Sequence, residues 1–179
     1  NIVVNATNAA SDGVRFGENG GAGTLNAGFT VTIGGGGFVA GDLRFRNFTQ
    51  TGGTAQSLSC SGTARIYNYD SNWGGNVDFD APRMLTRGTT YNGTADLEKT
   101  GGVGDDASAG GNTFVGNCTI RNSGSNYFMM GNGTSDDYQS DLDIINNGTD
   151  EIYIAHNSAG NTVGGNLTAD MSGAGALRI

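Results

Sequence analysis

The sequence predicts an all-β chain that folds as a single-domain parallel β-solenoid of about seven or eight rungs, with roughly 18–27 residues per rung. A rung is one turn of the coil. Three observations predict this fold: a repeat in the C-terminal third, an alternation of apolar with polar residues, and a composition rich in turn formers. The repeat spans residues 112–179 and holds three copies, whose patterns begin at Phe114, Tyr138 and Val163. We call the first residue of each pattern its lead residue. Because a unit this short cannot bury its own apolar face, it must stack on its neighbours.

Within each copy, apolar and polar residues alternate as expected for strands with one buried face. A turn glycine follows ten residues after each lead residue. Of the 179 residues, 33 are Gly, 20 are Asn and one is Pro, and Gly and Asn are the residues that tight turns require. An antiparallel β-sandwich is the alternative fold, but a regular period of about 24 residues disfavours it.

The repeat template can also be applied to the earlier part of the chain. Thr54, Trp73 and Tyr91 are the predicted lead residues of three rungs, and the inward strand residues follow four and six positions later. The spacing varies because additional residues leave a rung as loops. The remaining predicted strands lie at 2–5, 14–16, 29–33 and 43–46, with 14–16 as the second strand of the first rung.

Aromatic residues occupy the lead position in four successive rungs. Their rings are predicted to stack at about 4.8 Å, the distance between neighbouring strands. The alternation directs these rings inward, which predicts a buried stack, whereas a carbohydrate-binding platform would require rings that face solvent. The four residues are Trp73, Tyr91, Phe114 and Tyr138.

The charge and the apolar pattern bear on the class of partner. A net charge of -8 and a pI near 4.3 argue against nucleic acid or an anionic membrane as partner. No apolar run approaches the roughly 18 residues of a membrane-spanning helix, so no membrane insertion is predicted.

The two ends of the chain resemble each other. Residues 166–179 repeat the pattern of residues 1–16 with a gap of two residues, at an offset of 165. Both ends lie in apolar strand segments, and a solenoid needs polar caps to stay soluble. We therefore expect 1–179 to be one repeat module, as a window of a longer tandem array or as a filament subunit. Its predicted partners are other copies of the same repeat, stacked end to end.

Four phrases carry a resemblance to a known group of proteins. They are GNTF at 111–114, TIRNSG at 119–124, HNSAGN at 156–161 and YNGTADLEKTG at 91–101. These phrases resemble the repeats of very long secreted surface proteins of Bacteroidota. The resemblance implies an adhesin or filament repeat located outside the cell, exported by the type IX system through a separate C-terminal signal.

Four acidic residues form the candidate site. Asp78 and Asp80 point outward from one predicted strand, and Asp96 and Glu98 from the next, so that parallel pairing stacks like charges at about 5 Å. Such a stack destabilises a sheet unless a cation or an arginine offsets it, and Arg121 follows Glu98 in the same column. Three hypotheses remain open: a calcium site, a solvated acidic face, and polysaccharide cleavage by paired carboxylates.

Three weaker signals have ordinary structural explanations. The segment GGVGDD at 101–106 matches the start of a calcium-binding nonapeptide, but it occurs once, which favours a plain loop. His156 is the single histidine, so no second one is available for a metal site or a catalytic relay. Cys60 and Cys118 are predicted to be buried, unpaired thiols three rungs apart, at equivalents of Phe79 and Leu142.

The sequence therefore predicts no catalytic residue, and no cofactor apart from calcium at the acidic residues. The predicted function is that of a rigid spacer or contact surface in an extracellular filament or a giant cell-surface adhesin. The alternative is a carbohydrate-binding or polysaccharide-cleaving module on the same fold, with surface glycans as its partners. An outward cleft with converging acids and aromatic rings would favour that alternative.

Overall fold

The computed structural model describes residues 1–104 and 108–179, which contain 22 β-strands and no helix. The strands in the N-terminal half are Ile2–Ala6 (β1), Gly13–Phe16 (β2), Gly23–Leu25 (β3), Val31–Phe38 (β4), Asp42–Arg46 (β5), Phe48–Gln50 (β6), Gln56–Ser59 (β7), Arg65–Tyr69 (β8), Asn72–Trp73 (β9), Val77–Ala81 (β10) and Arg83–Arg87 (β11). Those in the C-terminal half are Thr90–Tyr91 (β12), Ala95–Lys99 (β13), Thr113–Phe114 (β14), Cys118–Asn122 (β15), Phe128–Met129 (β16), Asp137–Tyr138 (β17), Leu142–Asn146 (β18), Ile152–Tyr153 (β19), Thr162–Val163 (β20), Leu167–Asp170 (β21) and Leu177–Arg178 (β22). The predicted all-β class is confirmed.

The strands form five sheets, and every strand pairing among the described residues is parallel. We name the sheets by their size. In order, they are a two-stranded sheet β1-β4, a six-stranded sheet β7-β10-β13-β15-β18-β21, a four-stranded sheet β2-β5-β8-β11, a seven-stranded sheet β3-β6-β9-β12-β14-β17-β20 and a three-stranded sheet β16-β19-β22. The chain visits different sheets in succession, so β7, β8 and β9 belong to the six-, four- and seven-stranded sheets.

The predicted register is confirmed for the aromatic lead residues. Tyr91 pairs with Trp73 on one side and with Phe114 on the other, and Phe114 pairs with Tyr138. All four are buried. The ring of Phe114 lies 4.9 Å from that of Tyr91 and 4.8 Å from that of Tyr138, with interplanar angles of 2° and 3°. The rings of Tyr91, Phe114 and Tyr138 therefore form an interior stack, whereas the buried ring of Trp73 packs against Phe79 at 5.1 Å with an interplanar angle of 74°. None of the four offers a platform to solvent.

The prediction that Thr54 is a lead residue is wrong. Thr49 pairs with Asn72, so the neighbour of Trp73 is Gln50, and Leu58, not Cys60, pairs with Phe79. Gln50 is buried although polar, because its side chain donates to the carbonyl oxygen of Thr54 at 2.6 Å and accepts from the backbone of Gly75 at 3.2 Å. A polar lead residue is not recognisable from apolar periodicity.

Two further predictions in the N-terminal part need correction. Ile2 pairs with Val31, 29 residues later, which exceeds the predicted 18–27 residues. The connection is longer because parallel pairing fixes the register of the strands and leaves the loops between them free. Phe29, predicted to begin a strand, precedes β4 and is exposed. The strand predicted at 14–16 is present, and it pairs with the strand predicted at 43–46.

The turn glycines are required by close approach between the backbones of equivalent repeat segments. A Cβ atom added to Gly124, Gly148 or Gly173 would lie well under 3.0 Å from the backbone carbonyl oxygen of the glycine in the preceding repeat. For Gly148 that neighbour is Gly124, and for Gly124 it is Gly101. The glycine ten residues after each lead residue thus marks a place where only a hydrogen fits.

Candidate functional site

The four predicted acidic residues lie together on the outer face of the six-stranded sheet. Asp78 pairs with Asp96 and Asp80 with Glu98, as the parallel register predicted. Their neighbours along the strand, such as Phe79, point into the core and are buried. The alternation of β10 and β13 therefore places all four carboxylates on the solvent side.

Arg121 lies on the neighbouring strand β15 and forms ion pairs with two of the four acids. It pairs with Glu98 in register, and its guanidinium lies 3.2 Å from Asp96 and 3.4 Å from Glu98. Glu98 also accepts a hydrogen bond from the Ser123 hydroxyl, and Asp78 accepts one from Ser57 at 3.3 Å. Arg121 is the arginine that the sequence identified as the compensating charge.

The pKa of Asp80 reflects its partial burial first and the neighbouring negative charges second. Partial burial, followed by the charges of Asp78 and Glu98, raises its pKa to about 6. Burial also raises the pKa of Asp96, although the adjacent Arg121 opposes that change. Arg121 forms ion pairs with Asp96 and Glu98, and its charge lowers the pKa of Asp80 only in part.

Cation binding by this group stays a prediction. Within residues 1–104 and 108–179, no group of three or more His, Cys, Asp or Glu side chains is arranged so that it could hold a metal ion. In the nonapeptide-like segment, Asp105 and Asp106 lie outside the described residues. His156 packs its ring at 5.0 Å from that of Tyr153.

Sequence reasoning missed a basic face on the four-stranded sheet. Of the nine Lys and Arg residues in the chain, six lie on the outer side of β2, β5, β8 and β11 or at its margins. We call this surface the basic face; its arginines are Arg15, Arg44, Arg46, Arg65, Arg83 and Arg87. The feature of the sequence that could have revealed this face is an arginine at an outward-facing position of each strand, as in DLRFR of β5 and RMLTR of β11.

Asp42 is buried at the centre of the basic face and holds its arginines in place. Its carboxylate lies 2.7 Å from Arg44, 2.8 Å from Arg65 and 3.9 Å from Arg15. Arg44 also pairs with Glu18 at 3.1 Å. A buried carboxylate with several charge-assisted contacts restricts the guanidinium groups that bind it.

Two tyrosines of β8 support the same arginines. The guanidinium groups of Arg44 and Arg65 lie 4.9 and 4.8 Å from the ring centre of Tyr67, and that of Arg87 lies 4.9 Å from Tyr69. Cation–π contacts of this kind favour arginine because its planar group stacks on the ring. The basic face is thus a preorganised layer of guanidinium groups.

A cluster of buried polar residues lies in the interior near the seven-stranded sheet. Asp136 accepts hydrogen bonds from the backbone and the side-chain amide of Asn112, at 2.9 and 2.8 Å, and its own backbone donates to Asn161 at 2.8 Å. Burial raises the pKa of Asp136 to about 6. Its second carboxylate oxygen has no hydrogen-bond partner among the described residues.

The two cysteines are free and buried, as predicted. Cys118 pairs with Leu142, as predicted, but Cys60 follows β7 at the position of Ala81 and not of Phe79. Three strand spacings across the sheet and four residues along it separate the two by about 20 Å. A disulfide would require Cα atoms within about 7 Å.

Comparisons with known proteins found no relative of this chain. No family model, no curated protein and no solved structure matches it. Among the residues that the structure describes, no helix has the length and apolar character needed to cross a membrane.

Proposed function

We propose that this chain is a structural module of an extracellular filament or a very long cell-surface adhesin, in which it acts as a rigid spacer and contact surface. In this proposal the module is a parallel β-solenoid of eight turns, and it works without catalysis. The observation that carries the proposal is the set of parallel ladders that recur along the whole chain, because such a repeat builds a rod of any length from one unit.

Bridging contacts between the five sheets support the solenoid. The side chain of Gln56 in β7 accepts a hydrogen bond from the backbone of Val31 in β4, at 2.9 Å, which connects the two-stranded and six-stranded sheets. Arg87 of β11 forms a parallel bridge to Gly110, and Gly110 forms one to Thr134. Ser108 donates its backbone amide to Met129 of β16 at 3.0 Å. These contacts are consistent with three continuous walls, each crossed once per turn.

The C-terminal turn supports stacking on another copy. β21 and β22 each have one neighbouring strand, and apolar residues in this region are exposed. The exposed fraction is 46% for Leu167 and 36% for Val163. An unpaired strand edge beside exposed apolar side chains is a template for another strand. We infer that another copy of the repeat covers it, as the 165-residue offset between the similar ends predicts.

The carbohydrate-binding alternative requires outward acids together with outward aromatic rings, and the predicted rings do not face outward. Trp73, Tyr91, Phe114 and Tyr138 are buried, so they cannot stack on a sugar. The carboxylates of the acidic group remain outside, but they are partly neutralised by Arg121. We therefore propose no second function.

The location can be tested with an antibody raised against this chain. Under the proposal the antibody labels intact cells of the source organism, and protease treatment of intact cells removes the signal. Labelling that appears only after the cells are permeabilised would overturn the proposed location. In the same preparation, a purified filament that contains this chain would confirm the structural role.

A further inference from the structure

Four Asn-Gly pairs occur in this chain, and they begin at Asn19, Asn92, Asn132 and Asn147. In water, asparagine followed by glycine loses its side-chain amide more readily than asparagine followed by a larger residue. The reason is that glycine has no side chain to shield its backbone nitrogen, which attacks the side-chain carbonyl carbon of the asparagine. The reaction requires that this nitrogen and that amide are both free to move. The structure holds three of the four pairs and leaves one free.

At Asn147 both reacting groups are engaged. The backbone amide of Gly148 donates to the carbonyl oxygen of Asn122 at 2.9 Å and to the side chain of Asn146 at 3.1 Å. The side-chain oxygen of Asn147 accepts a hydrogen bond from the Ser172 hydroxyl at 2.8 Å. These bonds must break before the nitrogen of Gly148 can reach the side chain beside it.

At Asn92 the leaving amide is held. Its nitrogen donates to the side-chain oxygen of Asn72 at 2.7 Å and to the carbonyl oxygen of Trp73 at 2.9 Å. The following residue, Gly93, packs closely on the backbone of Asn76, because a Cβ atom at Gly93 would lie 2.6 Å from the Asn76 nitrogen. The backbone at this pair therefore has little room to rotate.

At Asn132 the attacking nitrogen is held. The backbone amide of Gly133 donates to the carbonyl oxygen of His156 at 3.1 Å, and that of Asn132 donates to the carbonyl oxygen of Ser108 at 2.9 Å. The side-chain oxygen of Asn132 also accepts from Asn157 at 3.4 Å. This pair is thus fixed on both sides by neighbouring segments.

Asn19 differs from the other three. It lies with Gly20 in the exposed connection between β2 and β3, where a single hydrogen bond, from Gly21 to the carbonyl oxygen of Glu18 at 3.1 Å, closes the turn. Within residues 1–104 and 108–179, no hydrogen bond involves the Asn19 side chain or the Gly20 amide. A Cβ atom on Gly20 would meet nothing within 4 Å, so the space around the reacting atoms is open.

We propose that Asn19 is a site of spontaneous deamidation in the folded chain and that the contacts of the other three pairs protect them. The Gly20 nitrogen loses its proton and bonds to the side-chain carbonyl carbon of Asn19, and the bond from that carbon to the amide nitrogen breaks. Ammonia leaves, and water then opens the cyclic imide at either carbonyl to give aspartate or isoaspartate. One water is consumed and one ammonia is released, with no oxidation or reduction.

The modification changes the surface beside an ion pair. Its product adds a carboxylate next to Glu18, whose own carboxylate pairs with Arg44 at 3.1 Å. In the isoaspartate form the backbone runs through the former side chain and gains one carbon atom, so the turn must close over a longer path. Charge and backbone length therefore change in the connection between β2 and β3. This inference is independent of the function proposed above.

The experiment follows all four pairs in the full chain by peptide mapping. Native and urea-unfolded samples are kept in mildly alkaline buffer, and mass spectrometry measures the conversion of each amide to an acid over time. In the native chain we expect Asn19 to react at least about tenfold faster than any of the other three, because those three require local opening of their contacts. In urea the four rates should agree within about threefold, because the contacts are lost.

Two variants assign the early product to its site. Native wild type should gain an acidic species on anion exchange, Asn19→Gly should lose this early species, and the matched control Asn132→Gly should keep it. Thermal melting checks that both variants are folded, and the peptide map of wild type decides the matter without them. The proposal would be overturned if Asn92, Asn132 or Asn147 reacted as fast as Asn19 in the native chain. It would also be overturned if folding slowed the reaction of Asn19 itself more than about tenfold.

Discussion

Single residues decide how this fold responds to pH. Asp136 is buried, and its pKa of about 6 lies above the ordinary value of 3.8. The folded chain therefore binds a proton more readily than the unfolded chain does. This contribution to stability is present at pH 4 and is lost as the pH rises towards 6.

Replacing Asp136 by Asn should stabilise the chain at pH 7. An amide keeps an acceptor for Asn112 and removes the buried charge, so we expect the free energy of unfolding at pH 7 to rise by about 1–3 kcal/mol. Urea unfolding at pH 4.5 and pH 7 measures it, and the gain should be smaller at pH 4.5. Asp137→Asn is the control, because Asp137 is the adjacent residue on the solvent side and its pKa is lowered. A variant less stable than wild type at pH 7 would contradict the argument.

The cysteines provide a second test at the residue scale. Burial raises the pKa of the Cys60 thiol to about 12 and raises that of Cys118 well above its ordinary value, so little thiolate forms at neutral pH. We expect neither thiol to react with a bulky disulfide reagent at pH 8 in the folded chain, and both to react in denaturant. Mass spectrometry should find no Cys60–Cys118 bridge. Rapid reaction of either thiol in the native chain would place it at the surface.

At the scale of a strand, the acidic column depends on one arginine. Removing Arg121 leaves Asp78, Asp80, Asp96 and Glu98 without a compensating charge, and like charges on neighbouring strands destabilise a sheet. We expect Arg121→Gln to lower stability by roughly 1 kcal/mol, or about 2–4 °C in melting temperature, with a smaller loss in high salt.

Arg87→Gln is the matched control for Arg121→Gln, since the Arg87–Asp70 pair is 3.5 Å long and about half exposed. It should change stability by less than about 0.5 kcal/mol. Calcium at millimolar concentration should raise the melting temperature of Arg121→Gln more than that of wild type. Equal calcium responses of the two proteins would contradict the idea that the arginine takes the place of a cation.

The turn glycines are a second property of the elements. Gly148→Ala places a methyl group against the backbone of Gly124, which a rotamer change cannot relieve. We expect a loss of at least about 2 kcal/mol in the free energy of unfolding. Gly53→Ala is the control, because a Cβ atom there meets nothing within 4 Å. Equal stabilities of the two variants would show that the turns are not packed this closely.

At the scale of the whole molecule, the exposed apolar end predicts self-association that does not depend on salt. Leu167→Lys puts a charge on the unpaired strand β21 and should weaken end-to-end contact at least tenfold in sedimentation experiments. Val115→Lys is the control, since Val115 is similarly exposed but lies elsewhere. If both substitutions have the same effect, the contact is not at this end.

For the strands from Trp73 to Tyr138 that follow the repeat, the sequence by itself determined which residues face inward and which strands pair. Alternation along a strand is a local property, and Trp73, Tyr91, Phe114 and Tyr138 lie in one column because each is followed by the same strand and turn pattern. The paired acids and Arg121 follow from that register. The prediction failed at Thr54, because Gln50 is a buried polar residue whose partners lie in the turn backbone.

Only the tertiary structure decided which outward residues become neighbours on strands that are distant in the sequence. The arginines of the basic face come from residues 15 to 87, and the connections between their strands have unequal lengths, so no fixed period brings them together. The same reason explains why Asp42 was not recognised as their common partner. Apolar periodicity reports the direction of a side chain, whereas its neighbour on the paired strand depends on the length of the chain that connects the two strands.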